Sequence, residues 1–236
     1  MTNAIIPTVL AFVVAATALG QEKTSCDTSG PHTLYSQHAS VIGRGDIKSP
    51  DGRKTLAVTR VPDPADRTEG KLRFSVAAGS KRYSAELAGF DAEVTWSPDS
   101  SAFAVTQTEG GGGFGYRVYV FYIDAGGLRK VTVSTPIEKA FGTPTKCEIP
   151  VLPNTGFVTW LSGSERALIA AEVVPVSVCQ CSGMFRVYEV HLPGLQIINS
   201  FDQSLAKKKF AGVLGCELRD AKSRPIAKSQ KPLATR

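Results

Sequence analysis

The chain has 236 residues, 42% of them hydrophobic and 20% charged, with five cysteines and a formal net charge of +6. Nine Lys and Arg face only Glu217 and Asp220 between Leu205 and Arg236, which leaves the rest of the chain close to neutral and excludes a generally basic protein. The length suits one all-β domain with a well-buried core, and no linker divides it.

In chain order, the first element is an apolar stretch from Ile5 to Leu19, too short for a comfortable membrane span. It ends in Ala16-Thr17-Ala18 and Ala18-Leu19-Gly20, the small-residue pattern of a cleavage site. Residues 1–20 therefore read as a signal peptide, and the protein as exported, periplasmic or secreted. Met1-Thr2-Asn3 carries no Lys or Arg, so an uncleaved N-terminal anchor is the alternative. Residues 21–220 form the expected β domain, and 221–236, poor in large apolar residues, a basic disordered tail.

Within the domain one group of parts recurs. Ser97-Pro98-Asp99-Ser100 has the chemistry of a tight turn, since proline presets φ and aspartate bonds its neighbouring backbone. Val94-Thr95-Trp96 and Ala102-Phe103-Ala104-Val105-Thr106 flank it as two strands of a hairpin. Ser49-Pro50-Asp51-Gly52 precedes Thr55-Leu56-Ala57-Val58-Thr59 in the same way. A degraded third copy runs from Val158-Thr159-Trp160 to Ala167-Leu168-Ile169-Ala170. Each is followed by a strand with arginine between apolar residues, at Arg73, Arg117 and Arg186. Asp124-Ala125-Gly126-Gly127 then closes a last hairpin in the second copy.

Trp96-Ser97-Pro98-Asp99 and Ser49-Pro50-Asp51-Gly52 resemble the W-S-P-D-G signature of TolB-like and WD40-like propeller repeats, also found in the propeller domains of prolyl-oligopeptidase-like proteins. The resemblance spans roughly residues 38–201. It implies an all-β, propeller-like stack of about three to four antiparallel four-stranded blades. A fourth blade would be assembled from His38 to Gly43 and Phe210 to Leu218; otherwise the stack is open, and a β-sandwich is the alternative fold. Lys48 stands where an aromatic should precede the first turn, Ser100 replaces glycine in the second, and the third lacks Pro-Asp. The signature residues Trp96, Ser97, Pro98, Asp99, Ser49, Pro50, Asp51 and Gly52 are architectural in that family, so the resemblance carries a fold and no active site.

The candidates for chemistry are few. Gly110 to Gly113 with Gly115 joins two strands and lacks the Lys-Ser/Thr of a phosphate loop, so it reads as a hairpin loop. Cys147, Cys179, Cys181 and Cys216 are disulfide candidates in an exported chain. Cys179 and Cys181 are too close in sequence for a relaxed bridge, so the expectation pairs them with Cys147 and Cys216 and leaves Cys26 free or used between chains. A thiolate metal site completed by His191 is the rival, with a spacing unlike the usual zinc patterns. The three arginines read as solvent-facing or ion-paired residues rather than an anion site. No Gly-x-Ser-x-Gly elbow or His-Glu-x-x-His occurs, and the only histidines are His32, His38 and His191.

The expected function is a non-catalytic binding or scaffolding module with a protein or envelope-polymer partner, no cofactor or metal, and no specific nucleic-acid binding. The basic tail makes at most weak contact with an anionic surface. The alternative is an extracytoplasmic hydrolase acting on an envelope or extracellular polymer.

Overall fold

The computed structural model describes residues 33–62, 70–108, 115–142, 152–174 and 182–221. Three antiparallel sheets follow one another along the chain. The first holds β2 (Ile47–Lys48), β3 (Lys54–Pro62), β4 (Gly70–Ala78) and β5 (Lys81–Ala88) in that order. The second holds β6 (Asp91–Trp96), β7 (Ala102–Thr108), β8 (Tyr116–Asp124) and β9 (Gly127–Thr132), with β1 (Ser40–Val41) added outside β6. The third holds β10 (Asn154–Ser162), β11 (Arg166–Glu172), β12 (Phe185–His191) and β13 (Gln196–Asp202). Helix α1 (Ser134–Phe141) links the second sheet to the third, and α2 (Gln203–Phe210) and α3 (Cys216–Asp220) follow the third. The described chain is thus mainly β and antiparallel, and each recurring sequence unit forms one sheet.

Alternation explains how the sheets stack. In β4, Leu72, Phe74 and Val76 are buried while Lys71 and Arg73 are exposed, as a sheet with one covered face requires. In β7 every residue is buried, because both faces are covered. Phe103 and Val105 turn toward the first sheet, where Phe74, Phe103 and Phe121 stack with centroids 5.1 to 6.3 Å apart. Ala102 and Ala104 turn the other way, and their small size admits Phe157 and Trp160 of the third sheet. The far face of the third sheet is covered by α2, α3 and Tyr35.

Among the described residues, His38 to Gly43 and Phe210 to Leu218 do not build a fourth sheet. Ser40–Val41 pairs with Glu93 and Val94 of β6, so the second sheet has five strands rather than four. Phe210 to Leu218 is the end of α2, a turn and the start of α3. Residues 33–37 instead lie along 213–217, held by Gln37 N–H to the Val213 carbonyl at 3.0 Å, Gly215 N–H to Tyr35 at 2.8 Å and Glu217 N–H to Leu34 at 3.0 Å. This strap therefore ties residues 213–217 to the β1 edge of the second sheet. The physical reason is local: Cys216–Asp220 turns helical, so among the described residues the two segments share backbone hydrogen bonds but just one β-bridge, Ser36 with Leu214, and no strand ladder forms.

Candidate functional site

At one end of the stack the two Pro-Asp turns are built alike. Ser49 Oγ lies 2.6 Å from Asp51 Oδ1, and Ser97 Oγ lies 2.6 Å from Asp99 Oδ1. Each aspartate also accepts the N–H two residues on, from Arg53 and from Ser101, both at 3.0 Å. Each serine hydroxyl accepts the N–H of the following strand, from Lys54 and from Ala102, again both at 3.0 Å. Pro50 and Pro98 sit exposed at the turn tips. Gly52 and Ser100 occupy the same left-handed position, with φ of 69° and 59°. Ser100 holds a conformation suited to glycine while its hydroxyl accepts the Asp51 N–H at 3.1 Å, which joins the second turn to the first.

The two tryptophans repeat a second joint. Trp96 donates its indole N–H to the Ile47 carbonyl of the first sheet at 3.4 Å, and Trp160 donates to Thr95 of the second at 3.2 Å. Trp96 reaches back to β2 of the first sheet and Trp160 to β6 of the second. Lys48 stands at the corresponding place in the first sheet, where the described residues contain no earlier sheet to receive an indole.

The opposite end carries the titratable cluster, which none of the sequence motifs marks. Tyr35 lies at its centre, 1% exposed, with its ring pressed on Gly156 of β10 and 5.5 Å from the Tyr116 ring. A Cβ at Gly156 would stand 1.9 Å from Tyr35 Cγ, and one at Gly215 would stand 2.3 Å from the Leu34 carbonyl. Both glycines are therefore required by close approach of the strap. Glu93 of β6 accepts the N–H groups of Leu34 and Tyr35, the second at 3.2 Å. The Tyr35 hydroxyl donates to Glu172 of β11 at 3.2 Å. One tyrosine thus joins two carboxyl groups from different sheets.

Burial sets the electrostatics here. Desolvation raises Glu93 to about 7, against the opposing pull of the Leu34, Tyr35 and Ser36 amides. Desolvation, with the Glu217 carboxyl adding to it, raises Glu172 to about 8. Tyr116 is pushed up to about 12 by burial and by Glu93, and burial also raises Tyr35 and Glu217. Glu172 Oε1 and Gln107 Oε1 are buried without a hydrogen-bond partner. At the turn end the direction reverses. The Ser49 hydroxyl and the Arg53 N–H lower Asp51 to about 2; at Asp99 burial raises the value, and the bonds from Ser97 and Ser101 outweigh it.

The other candidates are dispersed. Arg73 pairs with Glu86 at 2.8 Å and Arg117 with Glu138 at 3.9 Å, while Arg186 is exposed on β12. His191 ends β12, partly buried, and His38 is exposed on the strap. Cys216 is buried and disulfide-bonded. Cys26, Cys147, Cys179 and Cys181 lie outside the described residues, as do residues 1–20, His32, Gly110 to Gly113 and most of the basic tail. The cluster left one trace in the sequence: Glu93 and Glu172 sit inside apolar strands, between Ala92 and Val94 and between Ala171 and Val173. Their partner, Tyr35, is 58 and 137 residues away, beyond the reach of any local pattern.

Chemically the cluster can hold protons near neutral pH. It faces the protein's own strap: Glu93 is 8% exposed and Glu172 0%. Among the described residues no group of three His, Cys, Asp or Glu is placed to hold a metal ion, and no helix is long and apolar enough to cross a membrane.

No protein-family model and no curated protein matches the chain. Among solved structures, an acylaminoacyl peptidase from Pyrococcus horikoshii is similar over 72% of this chain and 27% of its own, with a TM-score of 0.42 and 11% identity. The chain spans about a quarter of that protein, and a similarity this weak assigns it neither a family nor an activity.

Proposed function

We propose that the chain is an exported, non-catalytic binding or scaffolding protein, built as an open, propeller-like stack of three blades. The observation that supports this reading is the use made of the buried carboxyls. Glu93 and Glu172 are spent on the amides and hydroxyl of the strap and are sealed beneath it, where a dissolved substrate does not reach them. Their work is to hold Leu34 and Tyr35 against the stack. Among the described residues the outer surface of the sheets is open to a partner, which suits a protein or an envelope polymer. The W-S-P-D-G resemblance points the same way, because its residues serve turns and sheet contacts.

Cross-linking in the native envelope, followed by reconstitution with the purified partner, tests the reading. A saturable complex is expected in which the partner is recovered chemically unchanged. Release of cleaved polymer fragments by the purified protein would establish the hydrolase instead. Export is checked by intact mass, with a mature chain beginning at Leu19 or Gln21 expected and a membrane-held Met1 species overturning it. For the cysteines we expect Cys147 and Cys216 each bridged to the Cys179/Cys181 pair. Non-reducing peptide maps that join Cys216 to Cys26 would correct that pairing.

A further inference from the structure

The strap closes over carboxyl groups that no cation answers. Glu93 of β6 and Glu172 of β11 lie beneath it, both buried, and Glu217 of α3 adds its charge to that of Glu172. The other titratable groups that act here are Tyr35 of the strap, Tyr116 of β8 and Asp91 of β6, with Asp220 acting on Glu217, and all are acids. Strands β7 and β10, which pack against the same place, bring no titratable side chain. Arg117 of β8 pairs with Glu138 of α1 instead, and His38 is exposed further along the strap. Among the described residues no Lys, Arg or His forms an ion pair with Glu93, Glu172 or Glu217.

Hydrogen bonding separates the two buried groups. Glu93 accepts the N–H groups of Leu34 and Tyr35, so a charge there is partly answered. Glu172 has one donor, the Tyr35 hydroxyl at 3.2 Å from Oε2, and its Oε1 is buried without a partner. An ionised Glu172 would hold a full charge beside Glu217 on a single hydrogen bond, whereas the protonated acid holds none. The closed strap therefore favours the protonated form. The strap itself is lightly held: of residues 33–37, Tyr35 is the one large side chain that is fully buried. Its hold on residues 213–217 is otherwise the Ser36–Leu214 bridge and the backbone bonds donated by Gln37, Gly215, Cys216 and Glu217.

We propose that the strap is a proton-operated latch: it stays closed on the second and third sheets while Glu172 and Glu93 keep their protons, and it lifts as a local unit when they lose them. Burial raises Glu93 to about 7 and Glu172 to about 8, against an ordinary 4.5. A folded value above the unfolded one means that the hold is complete below the unfolded value and is lost as pH rises through the folded ones. Lifting takes the Tyr35 ring off Gly156 and gives both carboxylates to water. That end of β6, β10 and β11 is thus covered in acid and uncovered above neutral pH. The latch rests on the carboxyls serving the strap rather than a substrate, and it does not depend on whether the chain binds a partner.

Hydrogen exchange of the full chain, followed by NMR from about pH 6 to about pH 9 and corrected for the intrinsic exchange rate, tests this. The amides of Gln37, Gly215 and Glu217 report the strap, and those within β7 and β8 report the core. The strap amides should exchange as a separate, less protected group. Their protection should fall about 10-fold or more for each carboxyl between about pH 7 and about pH 9. Glu172→Gln keeps the shape and cannot ionise, so it should remove at least about 10-fold of that fall. Glu93→Gln/Glu172→Gln should flatten it to within about 3-fold; if the double variant does not fold, the single one decides. Strap protection that is flat with pH in the parent, or a fall that Glu172→Gln leaves unchanged, overturns the proposal. So does exchange of the strap amides at the rate of the β7 and β8 amides at every pH, which would mean that the strap opens only by global unfolding.

Discussion

The two ends of the sheet stack join the same sheets by opposite electrostatics. At the turn end Asp51 and Asp99 are surrounded by N–H and hydroxyl donors, and both are more acidic than usual. At the strap end Glu93 and Glu172 are buried with too few donors, and both are less acidic than usual. The turn end is made twice from adjacent residues, whereas the strap end is made once from residues far apart in sequence.

The largest effect expected at the turn end is that of Trp96→Ala. The indole fills the space between the first two sheets, with its ring 5.4 Å from Phe103, and it supplies the N–H bond to Ile47. The loss should be about 3 to 5 kcal/mol in a denaturant melt, as for other large core truncations. Trp160→Ala should cost a similar amount, because it makes the same joint between the next two sheets. A Trp96→Ala protein as stable as the parent would show that the joint contributes nothing.

At the strap end, Gly156→Ala places a methyl group in the Tyr35 ring and should cost about 1 to 3 kcal/mol as an overpacked site. Combined with Tyr35→Ala the two penalties should add to less than their sum, since the ring atoms that the methyl strikes are gone and only the Cβ of residue 35, 2.6 Å away, still opposes it. Additive penalties in this double-mutant cycle would mean that strap and strand do not meet.

How much of this was legible follows from the same contrast. The turns, the strands flanking them and the three-fold recurrence were readable because each depends on residues within a few positions, such as Ser97 and Asp99. The Trp96 joint was readable only as a buried aromatic, since Ile47, its acceptor, belongs to the preceding sheet. The fourth-sheet expectation failed because the chain ends carry no turn signature, and Ser40–Val41 was free to pair with β6. The carboxyl cluster was not legible as a site, because only folding brings Tyr35 to Glu93 and Glu172.

The two ends also predict two limbs of a pH–stability curve. Glu93 and Glu172 have folded values of about 7 and 8 against an ordinary 4.5, so the folded chain holds protons that the unfolded chain releases. Their contribution is complete below the unfolded value and is lost as pH rises through the folded ones, with a slope of at most about 1.4 kcal/mol per pH unit for each group. Asp51 works the other way: its contribution is present above 3.8 and is lost as pH falls toward about 2. Stability should therefore peak between these limbs, near the unfolded carboxylate range. Glu172→Gln should flatten the alkaline limb and leave the acid limb in place, while Asp51→Asn should do the reverse. Urea melts at a series of pH values read both limbs, and a Glu172→Gln protein that keeps the parent's alkaline slope would remove Glu172 as its cause.

The smallest effect concerns Ser100, where two local terms oppose each other. At φ 59° a serine carries the strain that a side chain meets in the left-handed region, and glycine would relieve it. Its hydroxyl, however, accepts the Asp51 N–H at 3.1 Å and so joins the second turn to the first. Ser100→Gly exchanges one for the other and should change stability by less than about 1 kcal/mol. Ser100→Ala keeps the strain and removes the acceptor, so it should be the worse substitution by about 1 kcal/mol. The difference between the two variants, measured in one denaturant series, isolates the backbone term, because both lack the hydroxyl. If alanine proves as stable as glycine, the left-handed turn is not held in solution.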